Sequence, residues 1–354
     1  MMKLPLRLDA DITSECWTFY RMAILESYPE LESWLINHMN HIYMDKHQEI
    51  HYGFYGQKYN PYITYEEVLE TREKPLKQIT GKASLLDFLD ECLQKGIYPL
   101  LECDFNTLLQ KESALAEPSI HEILLYGFDS QYYWFPHLER GRWTEHTVSR
   151  QVLADAFMAR KYMGKEKEKQ QFWRRWYLYP LTLLKPKLDY QESVNYLKFK
   201  LDLDEIMSNA CVRYDIIQEE KTLTGTYYNG ILAVYNSFLI LGDRIRDGLF
   251  DLRDRGYNLE LNTKRLYEYN LLFIKRLHLL EKRIMLPCLE KLTGELDALA
   301  KLTQQAYLLA MKYVRIEDRS ALDMMADCLR SSFYIQNGII KKLQQNLNEC
   351  LLSI

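Results

Sequence analysis

The chain has 354 residues, 47% hydrophobic and 27% charged, the proportions of an ordinary soluble globular protein. Its net charge of −4 gives no reason to expect nucleic acid as a partner, and its length calls for two domains rather than one small core. The seven cysteines are odd in number and form no CxxC pair, which argues against a disulfide framework or a cysteine zinc site and fits a reducing cytoplasm.

The N-terminal string Met-Met-Lys-Leu-Pro-Leu-Arg-Leu-Asp reaches an acidic residue before any apolar stretch forms, so no secretory signal is expected. No apolar run approaches the roughly 20 residues that span a bilayer, so no membrane partner is expected and the protein is placed in the cytoplasm. Cys16 opens the first apolar-periodic segment (Trp17, Tyr20, Ala23, Ile24, Tyr28), read as a core helix. Residues 31–43 read as a second helical stretch, and the Gly- and Pro-punctuated segment 53–64 as loop or short strand. Residues 84–96 carry a serine N-cap, a 3.6-residue apolar stripe and a closing glycine, which predict a helix; 97–104 follow as a strand. Residues 121–128 and 131–137, joined by a turn at Gly127-Phe-Asp-Ser130, read as an antiparallel hairpin, with short strands following up to about 150.

Beyond 150 the periodicity changes. Residues 150–175, 189–220, 225–254, 259–290, 293–316 and 318–352 show helical spacing, with turns at Lys185-Pro-Lys and Asp254-Arg-Gly256. The expected fold class is therefore α+β: a mixed domain over 1–150, then an all-helical bundle over 151–354. The long amphipathic C-terminal helices are compatible with a homodimer.

Chemistry concentrates in the first half. A cysteine at a helix start faces unpaired N–H groups and the positive end of the helix dipole, both of which favour thiolate. The competing reading of Cys16 is a small buried hydrophobe. His121 begins the run His-Glu-Ile-Leu-Leu-Tyr-Gly-Phe-Asp, and a thiolate at a helix start with an imidazole on a strand suits nucleophilic acyl chemistry. The Cys16-Trp17 step and the His121 strand resemble the corresponding motifs of papain-like cysteine peptidases. The layout further resembles the N-terminal domain of the butirosin-biosynthesis protein H family, whose relatives include closthioamide-type transacylases; the resemblance covers roughly residues 5–145.

That resemblance implies a papain-like catalytic domain, with its cysteine-bearing helix against a small antiparallel sheet, used for acyl transfer in natural-product (antibiotic) biosynthesis. An acyl group held as a thioester on an acyl or peptidyl carrier protein would pass to Cys16 and then to a small-molecule amine. Cys16 would be the nucleophile and His121 the general base and acid. No cofactor would be bound; the 4′-phosphopantetheine arm arrives on the carrier protein. The third catalytic position, 16 residues after the histidine in the family, falls on His137, with Asp129 at the hairpin turn as the alternative orienting residue. The family's oxyanion-hole glutamine, six residues before the cysteine, is replaced by Ala10, which leaves the Cys16 backbone N–H with Thr13 or Ser14 as candidate donors. Two other functions fit the same residues: a peptidase, amidase or thioester hydrolase, or an inactive binding protein.

Other groupings carry less. His38, His41, His47 and His51 cluster in sequence, with 38 and 41 expected on one helix face, but no cysteine or carboxylate pattern joins them and no metal is expected. His146 and His278 read as surface or core histidines. The tyrosines between 43 and 65 read as a cleft lining or an irregular surface segment. Residues 165–179 mix cations with aromatics, which suits either docking of an acidic carrier protein or a solvated helix.

Overall fold

Elements follow the chain as β1 (Met2–Lys3), α1 (Cys16–Leu25), α2 (Glu32–His38), β2 (His41–Asp45), β3 (Ile50–Gly53), β4 (Leu69–Lys74), α3 (Lys82–Gln94), β5 (Tyr98–Asp104), α4 (Phe105–Leu108), β6 (Ile120–Leu124), β7 (Gly127–Phe128), β8 (Tyr132–Glu139), β9 (Arg142–Ser149), α5 (Arg150–Met158), β10 (Leu181–Pro186), α6 (Tyr196–Ser208), β11 (Cys211–Gln218), β12 (Lys221–Asn229), α7 (Leu259–Arg283), α8 (Pro287–Ile316) and α9 (Arg319–Leu352). The computed structural model describes residues 1–14, 16–38, 41–45, 50–53, 65–75, 78–109, 119–139, 141–159, 180–208, 211–218, 221–229, 234–236, 238–239, 259–283 and 287–352. The fold is mixed α+β, with a helical C-terminal region. Among these residues no helix is long and apolar enough to cross a membrane.

The chain divides into two compact units: Met1–Glu32 with Tyr65–Gln191, and Ser33–Thr64 with Glu192–Ile354. Sheet pairing rather than chain order draws that division. β10 lies between β4 and β5, antiparallel to both, so the first unit continues to the end of a strand well past residue 150.

The first unit holds two antiparallel sheets, β1-β7-β8-β9 and β4-β10-β5-β6. α3 buries Leu85, Leu89 and Leu93, one helical face at i, i+4 and i+8, against Leu101, Cys103 and Ile123 of β5 and β6, Tyr133 and Phe135 of β8, and Leu153 and Phe157 of α5. α3 begins two residues before Ser84. The Ser84 hydroxyl reaches back to Gly81, accepting its N–H at 3.1 Å, and Gly96 closes the helix at φ 72°. The expected hairpin is split: β6 pairs with β5, and the chain passes at Leu125–Tyr126 into the other sheet, where β7 pairs with β8.

Gly127 shows why this crossing tolerates no side chain. A Cβ there would stand 2.7 Å from the Met2 carbonyl and 2.7 Å from Lys3 Cγ, because β1 pairs directly against β7. Gly127→Ala is therefore expected to cost about 1–3 kcal/mol, the usual price of overpacking. A urea titration would show it as a lower midpoint at unchanged slope; an unchanged midpoint would mean that β1 yields.

The second unit departs from an all-helical bundle. Residues 211–218 and 225–229, expected within helices, form with 221–224 a β hairpin in the sheet β11-β12-β2-β3. Their Thr, Val, Ile and Tyr content suits a pleated surface better than a helix face. Likewise 41–45 is strand β2 rather than the end of a helix, so His38 and His41 do not share a helix face. His38 is buried, its Nδ1 2.9 Å from the Trp34 carbonyl and its ring stacked on Trp34. The edge strand β3 is closed by α7: Asn262 Oδ1 accepts the Ile50 N–H and Arg265 Nη1 donates to the Ile50 carbonyl, both at 2.8 Å. Tyr235 bridges α7 and α9, donating to Gln336 Oε1 at 3.0 Å and accepting from Asn270 Nδ2 at 3.2 Å. Residues 54–64, His47, 165–179 and the turn at 254–256 lie outside the described residues.

Candidate functional site

α1 is placed by both sheets of the first unit. Phe19 stacks flat on Trp143 of β9, ring centroids 4.0 Å apart and 3° from parallel. Trp143 Nε1 in turn donates to the Thr13 carbonyl at 3.2 Å, tying down the segment that leads into the helix. Tyr20, one turn after Cys16, donates its hydroxyl to the Glu122 carbonyl of β6 at 2.8 Å. Arg21 lies across the Trp17 ring, 3.8 Å from its centroid, and donates to the Trp17 carbonyl at 2.8 Å. Burial lowers the Arg21 pKa, with the Glu122 charge opposing, while burial raises that of Glu122, with Arg21 opposing. α1 is thus coupled to the residue that follows His121.

Cys16 itself is exposed, so it is not the small buried hydrophobe of the competing reading. The Tyr20 hydroxyl is held well above its ordinary pKa, first by burial and then by the negative charge that Cys16, Glu122 and Cys103 would carry. It stays a protonated, neutral neighbour of the thiol. Three other cysteines differ in kind. Cys103 is fully buried, burial pushes the Cys92 thiol up to about 11, and Cys328 is raised for the same reason. Limited alkylation of the native protein at neutral pH should therefore label Cys16 ahead of Cys92, Cys103 and Cys328, since the thiolate is the reactive form. Peptide mapping reads this directly, and equal labelling of Cys92 would contradict it.

His121 is exposed on β6, opposite Cys103 of β5. His137 is half-buried on β8, opposite Thr144 of β9. Phe105 joins them, with ring centroids 5.3 Å from His121 and 5.2 Å from His137. Phe105 is held at the first position of α4 by its cap, Asp104, which accepts from Thr107 Oγ1 at 2.6 Å and from the Ser119 N–H at 3.2 Å. The same carboxylate therefore fixes Phe105 and the entry to β6.

Asp129 is committed to its own turn. Its Oδ1 accepts the N–H groups of Gln131 and Tyr132, each at 2.8 Å, and these bonds hold its pKa below the ordinary carboxylate value. Ala10, at the position of the family's oxyanion-hole glutamine, is buried. His146 meets His137 edge to face at 5.0 Å, with its Nε2 3.2 Å from Thr144 Oγ1 and 3.6 Å from Glu139 Oε2. His278 is exposed on α7. The involvement of Phe105, Tyr20 and His146 was not read from the sequence. Strand alternation over 135–146 carried a signal for His146 alone, since it places His137, Thr144 and His146 on one face.

These residues define an α+β unit that presents an exposed helix-start cysteine on a helix bonded to a histidine-bearing strand. The chain matches no protein-family model and no curated protein.

Proposed function

We propose that the protein is a cysteine-dependent acyltransferase of papain-like type, taking an acyl group from a carrier-protein thioester through Cys16 to an amine. The observation that carries this reading is the Tyr20–Glu122 hydrogen bond. It joins the helix that Cys16 opens to the strand that bears His121, with Cys16 itself exposed.

In the first step the Cys16 thiolate attacks the thioester carbonyl. A bond forms between Sγ and the acyl carbon, the bond to the pantetheine sulfur breaks, and the proton held on His121 passes to the departing sulfur. In the second step the amine nitrogen attacks the Cys16 thioester; the C–N bond forms, the C–Sγ bond breaks, and His121 takes the proton that the amine gives up. His137 orients His121 through Phe105, whose ring touches both imidazoles, a reading favoured over Asp129 because one Asp129 oxygen holds two backbone N–H groups of its own turn. The substrate's pantetheine arm is the only prosthetic group this chemistry requires.

Incubation with acyl-pantetheine thioesters followed by intact-mass measurement tests the proposal. An acyl adduct that clears on adding an amine, with the amide as product, is expected. An adduct that clears only to free acid would make the protein a hydrolase, and no adduct with any thioester would make it a binding protein.

A further inference from the structure

β6 is the outer strand of the sheet β4-β10-β5-β6. Its pairing with β5 alternates: the Phe105 N–H donates to the Ser119 carbonyl at 2.7 Å and the Leu125 N–H to the Pro99 carbonyl at 2.8 Å, so the odd-numbered residues carry the ladder bonds. The backbone N–H and C=O of Glu122 therefore point outward, along the open edge of the sheet. A buried edge carbonyl needs a donor, and the Tyr20 hydroxyl supplies it at 2.8 Å. Tyr20 is 2% exposed, and its ring meets Trp143 edge-on at 5.5 Å, so aromatic packing holds the ring and the hydroxyl makes the hydrogen bond to β6. Cys16 lies one helical turn before Tyr20 on the same helix face, and His121 lies one residue before Glu122 on the strand.

From this arrangement we infer that Tyr20 is a positioning residue for the acyl transfer: its hydroxyl sets the separation between the Cys16 thiol and the His121 imidazole. It touches neither substrate nor proton in flight. It acts by fixing the helix that carries the nucleophile to the strand that carries the base, at the point where the strand has an unused backbone acceptor. The inference rests on the proposed acyl-transfer reading. Displacement of a reacting group by about 1 Å can cost on the order of 10²-fold in rate, so loss of a single tether at this point falls on turnover rather than on substrate affinity.

The test compares wild type with Tyr20→Phe, and with 3-fluorotyrosine at position 20, in acyl transfer from an acyl-pantetheine thioester to an amine. Tyr20→Phe is expected to lower kcat about 10- to 100-fold at unchanged KM, with fluorotyrosine, which keeps the donor, restoring kcat. Should Tyr20→Phe fail to fold, a series of fluorotyrosines of graded hydroxyl acidity at position 20 keeps the test: kcat is expected to change along the series at unchanged KM, and a kcat indifferent to it would overturn the inference. Equal kcat for Tyr20→Phe and wild type would overturn the inference and leave the acyltransferase reading standing, as would a fall borne by KM alone. A wild-type protein that forms no acyl adduct would instead remove the reading beneath it.

Discussion

Cys16→Ala is expected to abolish both the proposed acyl adduct and the transfer product, a loss of turnover on the order of 10⁴-fold or more, while the protein stays folded. The fold should not notice the change, because Cys16 is exposed and α1 is held by Phe19 against Trp143 and by Tyr20 against β6. Cys92 and Cys103 are not expected to make up the loss. Cys103 and Cys92 are buried, and the Cys92 thiol, pushed up to about 11, is almost wholly protonated at neutral pH. Intact-mass measurement on the variant checks this, with circular dichroism as the folding control. An adduct that persists in Cys16→Ala would place the nucleophile elsewhere.

His121→Gln is expected to lower kcat/KM by about 10²–10⁴-fold, the usual worth of a positioned general base. The substitution leaves the core intact, since His121 is exposed and its contact with Phe105 is at a strand surface. His137→Ala should cost less, because it removes a group that acts through His121 rather than on the substrate. Asp129→Ala should cost turnover little, whatever it does to the hairpin, because both of its hydrogen bonds go to backbone of its own turn. Steady-state kinetics on the three variants ranks them. If Asp129→Ala were the one that stopped turnover, the orienting role would belong to the carboxylate and the catalytic arrangement proposed above would have to be redrawn.

Local signals carried much of the first unit. The helix over 82–94, the buried strand β5, the turn expected at 127–130, which falls two residues later, and the helix opening at Cys16 were legible because each depends on short-range chemistry: a serine reaching its helix start, a glycine at positive φ, an Asp binding the next N–H groups. The long helices α7, α8 and α9 were equally plain, since a 3.6-residue apolar stripe repeated over 25 residues or more has few other solutions.

What the sequence did not disclose was pairing. Whether 211–229 is helix or hairpin depends on β2 being present to accept β12, and β10 belongs to the first unit only because β4 and β5 leave a place between them. Strand propensity is a statement about neighbours, so it cannot be read from the segment alone. The same limit held at the candidate site. The residue types at 16, 121 and 137 were evident in the linear chain, and so was the chemistry they could perform. That Phe105 touches both imidazoles, and that Tyr20 bonds to the open edge beside His121, was decided by tertiary structure, because these contacts join segments about 16 to 100 residues apart whose approach is set by sheet pairing and core packing.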